Sequence, residues 1–323
     1  MWPISIRLSL RIMGKAEPMG LVNTYDFYKK AFESFYAIGG FQVYNMEMIQ
    51  GTVEAAASMK SPILLQASCR GVRYAGARTL YQIARIAAEY WNIPVVLHLD
   101  HGDSVELCKD AIDAGFTSVM LDCTGQPLNT QIEMTREVVE YAHRHNVTVE
   151  GEAARKADCE ECYLTSPEEA EAFVNATGCD SLSICVGNSH VLYGRGFPDS
   201  RKPALRLGLL AEIHSAVPNT PLVLHSISVG TKELTRRLEA AGGRQKTYGV
   251  FLTEELHEAM KLGVVKCNVG TNKISTTVGV REYLMRCPQE MDPRKYYGEG
   301  RRIMTEAVKY QIETLFLSAG QLD

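Results

Sequence analysis

At 323 residues the chain is long enough for two average domains, or for one α/β barrel, a fold that routinely reaches this size. Hydrophobic residues make up 46% and charged residues 22%, a balance that fills a large core and excludes a disordered chain. With 34 basic and 38 acidic side chains the formal charge is -4, and no apolar run approaches the roughly 20 residues of a membrane span, so neither nucleic acid nor membrane is an expected partner.

Residues 1–18 carry Arg7, Arg11 and Lys15 around an apolar stretch that Pro3, Ser5 and Ser9 interrupt. They read as an extension ahead of the fold, with a weak transit peptide as the lesser alternative; a secretory signal would need a longer apolar segment and a small-residue cleavage site. Nine cysteines, an odd number, are scattered along the chain, several of them inside apolar runs such as Ser183-Ile184-Cys185-Val186. That usage suits a reducing cytoplasm better than a disulfide framework.

From residue 37 onward short apolar runs alternate with longer segments of helical period, the pattern of repeated βα units around a parallel sheet. Strands are expected at 37–43, 63–67, 94–99, 118–122, 148–152, 181–187, 221–226 and 264–269. Eight such units predict a single closed (β/α)8 TIM barrel over 19–323. Helix signals punctuate the gaps. In Ser166-Pro167-Glu168-Glu169 a cap, a first-turn proline and a capping-box glutamate coincide. Over 231–241, Leu234, Leu238 and Ala241 share a face, and Gly242-Gly243 follows where a left-handed cap residue is wanted. Leu256, Ala259 and Met260 ahead of Gly263 repeat the design.

In such a barrel the reactive residues sit at the C-terminal ends of the strands. His98, His101, His190 and His225 fall at expected strand ends, whereas His143, His145, His214 and His257 fall in or just after helices. The stretch Leu97-His98-Leu99-Asp100-His101-Gly102-Asp103 is the densest, with two histidines and two acids in six positions. Neutral imidazoles from three separate strands suit zinc with one coordination position left open, and His101, His190 and His225 form the natural trio. A Schiff-base chemistry would need a desolvated strand lysine; Lys266 is the one good candidate, near the start of its strand.

At these residues the chain resembles the class II, zinc-dependent ketose-bisphosphate aldolases. The resemblance runs from about Met19 to Leu322 and rests on Gly20-Leu21-Val22-Asn23-Thr24, Lys60-Ser61-Pro62 with Gln66-Ala67-Ser68, His98-Leu99-Asp100-His101-Gly102, Pro221-Leu222-Val223-Leu224-His225, and Asp292-Pro293-Arg294-Lys295-Tyr296 leading to Ser318-Ala319-Gly320. It implies zinc on His101, His190 and His225, Asp100 as the acid–base residue, and Asp122 and Glu152 at an accessory position for a second metal or a monovalent cation. It also implies substrate contacts from Asn45, Ser68, Ser228, Asn268 and Thr271, and an arginine, Arg294, donated across a homodimer or larger oligomer to a phosphate. The implied substrate is a phosphorylated sugar, fructose 1,6-bisphosphate by default, cleaved or condensed through dihydroxyacetone phosphate and an aldehyde phosphate.

Several positions depart from the family pattern. Val191 and Ser226 stand where glycines usually follow the second and third metal histidines, and Asn268-Val269-Gly270-Thr271-Asn272 replaces Asn-x-Asp-Thr-Asp. After Glu152 a glycine-rich loop bearing a proton-donating glutamate gives way to a shorter segment in which Glu160 and Glu161 are the available acids. Cys159-x-x-Cys162 in that segment lacks a second pair or a thioredoxin context. These departures keep open a second reading, a zinc-binding aldolase paralog with weakened or lost activity and a binding or regulatory role.

Overall fold

A computed structural model of the chain describes residues 20–153, 164–188, 204–227, 232–244, 251–270 and 272–322. Eight parallel strands, β1 (Ile38–Gln42), β2 (Leu64–Ser68), β3 (Val96–Gly102), β4 (Ser118–Leu121), β5 (Thr148–Glu152), β6 (Ser181–Ile184), β7 (Leu222–Leu224) and β8 (Val264–Val269), close on themselves in chain order. Helices on the outside connect them, and the fold is the (β/α)8 TIM barrel that the alternation predicts. The 1–18 segment and the acids of the 154–163 segment lie outside the described residues.

All eight expected strands form; β5 and β8 keep the expected bounds, the others shift at one or both ends, and the largest changes are in β3 and β6. β3 runs on to Gly102 instead of stopping at Leu99, while β6 stops at Ile184. Just beyond β6, Asn188 folds back: its amide donates to Ile184 O at 3.0 Å and its Oδ1 accepts from Val186 N at 2.8 Å. The backbone there is satisfied by a side chain in place of a neighbouring strand.

The helix signals work as read. Ser166 Oγ accepts from Glu169 N at 3.2 Å and the helix Pro167–Thr177 follows with proline in its first turn. The helix Lys232–Ala240 buries Leu234 and Leu238, and Gly242 sits at φ 72°, a left-handed backbone that a side chain resists.

Inside the barrel the side chains form strata. At the base the helix Tyr25–Ser34 presses Tyr28 and Ala31 against Tyr36, Ile38, Leu64, Val96 and Val265, an apolar plug. Above it lies a fully buried polar layer: Gln66, His98, Glu150 and Lys266. Gly40 makes room for it, since a Cβ at that position would lie 2.0 Å from Gln66 Oε1 and 3.1 Å from Lys266 Cε. The third stratum is the mouth. The larger apolar cluster, with Phe41, Leu65, Leu97, Leu99 and Val149, packs the outer strand faces against the helices.

Candidate active site

Alternation along β3 turns Val96, His98 and Asp100 inward, so His101 ought to face out. It does not. His101 adopts φ 53°, and the pairing of β3 with β4 shifts register between Leu99 and Gly102. The extra residue resets the alternation, which lets two consecutive side chains, Asp100 and His101, both serve the mouth. A left-handed backbone at a non-glycine residue stores strain, and such positions concentrate at functional sites.

His225, just past β7, meets His101 with ring centroids 4.7 Å apart. Asp100, His101 and His225 bring their ligand atoms within 4.8 Å of one another, and His101, Asp122 and Glu152 do the same. His101 Nδ1 lies 2.9 Å from Asp100 Oδ1, so Nδ1 donates and Nε2 is left to face elsewhere. Burial opposes charge on His101, but the Asp100 carboxylate, with Glu152 and Asp122 nearby, outweighs it and pushes the imidazole up to about 10. Asp100 responds in the opposite sense: against the cost of its burial, His101 and then His225 and Lys266 hold it well below the usual carboxylate range.

Asp100 is held from two further sides. Asn268 Nδ2 donates to Oδ1 at 3.0 Å, and Gln42 Nε2 donates to Oδ2. Glu152 Oε1 accepts from Ser183 Oγ at 3.2 Å, and Asp122 Oδ1 accepts from Thr124 N at 3.0 Å. One layer down, Lys266 Nζ donates to Glu150 Oε2 at 2.6 Å and lies 3.2 Å from His98 Nε2. Burial first, and then the Lys266 ammonium, bring His98 down to about 3, so its imidazole is neutral. Engaged in this way and sealed beneath the mouth, Lys266 is not placed as a Schiff-base nucleophile.

Other expected site residues are placed differently. Asn45 Oδ1 accepts from Met48 N at 2.9 Å and Ser68 Oγ from Gly71 N at 3.3 Å, so both cap helices, although Ser68 pairs in register with Asp100 at the rim. Arg294 has an 88% exposed side chain and pairs with Asp292 at 2.8 Å, not with any mouth residue of its own chain. Asp103, the second acid of the dense segment, pairs with the exposed Arg73 at 2.6 Å. A Cβ at Gly270 would meet nothing within 4 Å, so the carboxylate expected there leaves open space. Ser226 sits at φ 56°, the conformation that suits the glycine usual at this point. His190, Ser228 and Thr271 lie outside the described residues. Gln42, Glu150 and His98 are the residues that sequence reading left without a role at this site.

The donor set suits a divalent cation. Two imidazoles and three carboxylates converge on one mouth, with their ligand atoms in two groups that share His101. A TIM barrel with polar chemistry gathered at the C-terminal ends of its strands has the layout of the barrel enzymes, and this mouth carries two groups of side chains that could hold a metal ion. Comparison with known proteins narrows that class. Residues 22–321 match the family model described as fructose-bisphosphate aldolase class-II. A fructose-bisphosphate aldolase of Treponema pallidum is 37% identical over 96% of this chain and 100% of its own length, and one of Thermus caldophilus is 40% identical over 93% and 99%. Among solved structures, the YdjI aldolase of Escherichia coli K12 superposes with a TM-score of 0.75 at 27% identity, covering 94% of this chain and 100% of that one. The chain therefore belongs to the class II fructose-bisphosphate aldolase family, a family of zinc-dependent lyases.

Proposed function

We propose that this protein cleaves and condenses fructose 1,6-bisphosphate, with dihydroxyacetone phosphate and an aldehyde phosphate on the other side of the reaction. The observation that carries this reading is the convergence of Asp100, His101 and His225 within 4.8 Å at the barrel mouth. His101, His225 and, by resemblance, His190 would hold zinc, and the chemistry it would supply there is Lewis-acid polarisation of the ketose carbonyl. Asp122 and Glu152, whose carboxylate oxygens lie within 4.8 Å of each other and of a His101 ring nitrogen, form the accessory position for a second metal or a monovalent cation.

Asp100 takes the proton from the hydroxyl whose carbon becomes the aldehyde. This requires a carboxylate that is ionised and fixed, and Gln42, Asn268 and His101 supply both conditions. Asn268 Oδ1, buried and with no hydrogen-bond partner among the described residues, is the acceptor we assign to a substrate hydroxyl. Asn45, Ser68, Ser228 and Thr271 complete the substrate contacts around the rim. Arg294, 88% exposed and paired with Asp292 at its own helix start, could swing a bidentate fork toward a phosphate held by a second copy of the chain, the role the resemblance assigns to it in a homodimer or larger oligomer.

The seven cysteines among the described residues are all free thiols, which supports a reducing cytoplasmic setting. No described helix is long and apolar enough to cross a membrane. The deciding experiment is zinc analysis paired with coupled assays of fructose 1,6- and tagatose 1,6-bisphosphate cleavage. Stoichiometric zinc with cleavage of the fructose ester faster than its epimer is expected. Zinc without cleavage of either ester would overturn the catalytic reading.

A further inference from the structure

The polar stratum beneath the mouth has no part in the reaction just described, yet it is entirely buried and contains an ion pair. Lys266 and His98 are 0% exposed and Glu150 is 1% exposed. An ion pair in such a place carries a large desolvation cost and adds little net stability over apolar packing. What these residues do have is a determinate pattern of hydrogens, because one member can only donate.

The Lys266 ammonium has three hydrogens and no acceptor. One goes to Glu150 Oε2 at 2.6 Å and another to His98 Nε2 at 3.2 Å. His98 Nε2 must then carry a lone pair, so its single hydrogen is on Nδ1, directed at Ser118 Oγ 2.8 Å away. Glu150, with Lys266 against one oxygen, is a carboxylate, and its other oxygen, Oε1, lies 2.7 Å from His225 Nε2. Two lone pairs cannot share that distance, so the hydrogen between them belongs to His225 Nε2. A neutral imidazole has only one, and His225 Nδ1 is left as the basic nitrogen. That edge faces Glu152 Oε1 across 4.0 Å, on the mouth side.

We propose that Glu150, charged and oriented by Lys266, is a positioning residue for His225: it takes the Nε2 hydrogen and so fixes Nδ1 as the metal-facing nitrogen. The inference rests on the reading of His225 as a zinc ligand. A carboxylate behind a ligating histidine fixes both the ring plane and the tautomer and raises the basicity of the ligating nitrogen. Here the orienting carboxylate has its own orienting cation on β8, so three strands, β5, β7 and β8, set the angle of one imidazole.

The test uses the full-length protein stripped of metal by a chelator, with histidines labelled in the ring nitrogens, and zinc itself as the probe. Nitrogen NMR of the metal-free wild type should show His225, assigned by its loss in His225→Asn, as the Nε2–H tautomer. In Glu150→Gln that signature should mix or reverse, and zinc affinity by chelator competition should fall tenfold to a hundredfold. The double variant Glu150→Gln with Lys266→Met, which leaves no unpaired buried ammonium, should lose affinity to the same degree while its circular dichroism stays native.

An Nδ1–H tautomer in the wild type, or a folded double variant that binds zinc as tightly as the wild type, would overturn the role of Glu150. If neither variant folds, the wild-type spectrum decides alone. Failure of the ligand assignment is distinct: it appears as full zinc retention in His225→Asn, whatever the tautomer recorded without metal.

Discussion

Asn268 and Asp100, 168 residues apart in sequence, meet at the barrel mouth with the amide Nδ2 donating to Oδ1 at 3.0 Å. The donor side of Asn268 is thereby committed to holding the acid–base residue, and only its Oδ1 remains for a ligand. Asp100→Asn should lower the turnover number by a hundredfold or more, the usual scale of general acid–base assistance, while zinc content stays stoichiometric. Steady-state cleavage rates with elemental analysis of the same samples check this. Unchanged turnover at full zinc content would restrict Asp100 to orienting His101.

His101→Ala and His225→Ala should each release the ion, because three imidazoles leave no redundancy in a site with one open position. His190→Ala extends the test to the ligand supplied by resemblance. Stoichiometric zinc in purified His190→Ala protein would exclude it from the cage.

Stability of the metal-free protein should fall as pH drops below about 6.5. Burial and then Lys266 bring His98 down to about 3 in the fold, so between its ordinary value of 6.5 and 3 the unfolded chain binds the extra proton. Glu150 is shifted in the same direction: although burial alone would raise it, Lys266 and then His225 hold it below its ordinary 4.5, which adds to the loss at more acid pH. Unfolding free energy therefore rises with pH across this window, by as much as about 1.4 kcal/mol per unit for one proton. Urea titrations from pH 4.5 to 6.5 measure the slope, and His98→Asn should flatten it.

Ser226→Gly should stabilise the fold by up to about 1 kcal/mol. The serine holds φ 56°, where a Cβ is strained, and its buried Oγ makes no hydrogen bond among the described residues. Glycine relieves both at the cost of a more flexible unfolded chain. The urea midpoint should move up at constant slope; a drop in midpoint would mean the hydroxyl has a partner that matters.

Much of the architecture is legible because barrel strands and their capping signals are local. β5 and β8 have the boundaries read from their patterns, and Ser166 caps the helix it announces. What escapes is tertiary. The extension of β3 depends on a left-handed His101, and no glycine in the sequence marks that kink. Glu150 was within reach, since Thr148, Glu150 and Glu152 share one face of a strand by simple alternation. Its partner Lys266 arrives from 116 residues away, and that pairing cannot be read from spacing. Asn45 and Ser68 illustrate a further limit: a polar residue at a strand end can be claimed by the first turn of the next helix.

The apolar plug formed by Tyr28, Ala31 and Tyr36 against the strand starts closes the base of the barrel, so that among the described residues the mouth is the open end. Whatever reaches His101 comes through the mouth, and whatever forms there must leave by the same path. In a cleavage reaction two fragments share that path with the next incoming sugar, so the order of departure is set by which fragment lies nearer the rim. The fragment bound deeper, against Asp100 and the histidines, is the one that waits.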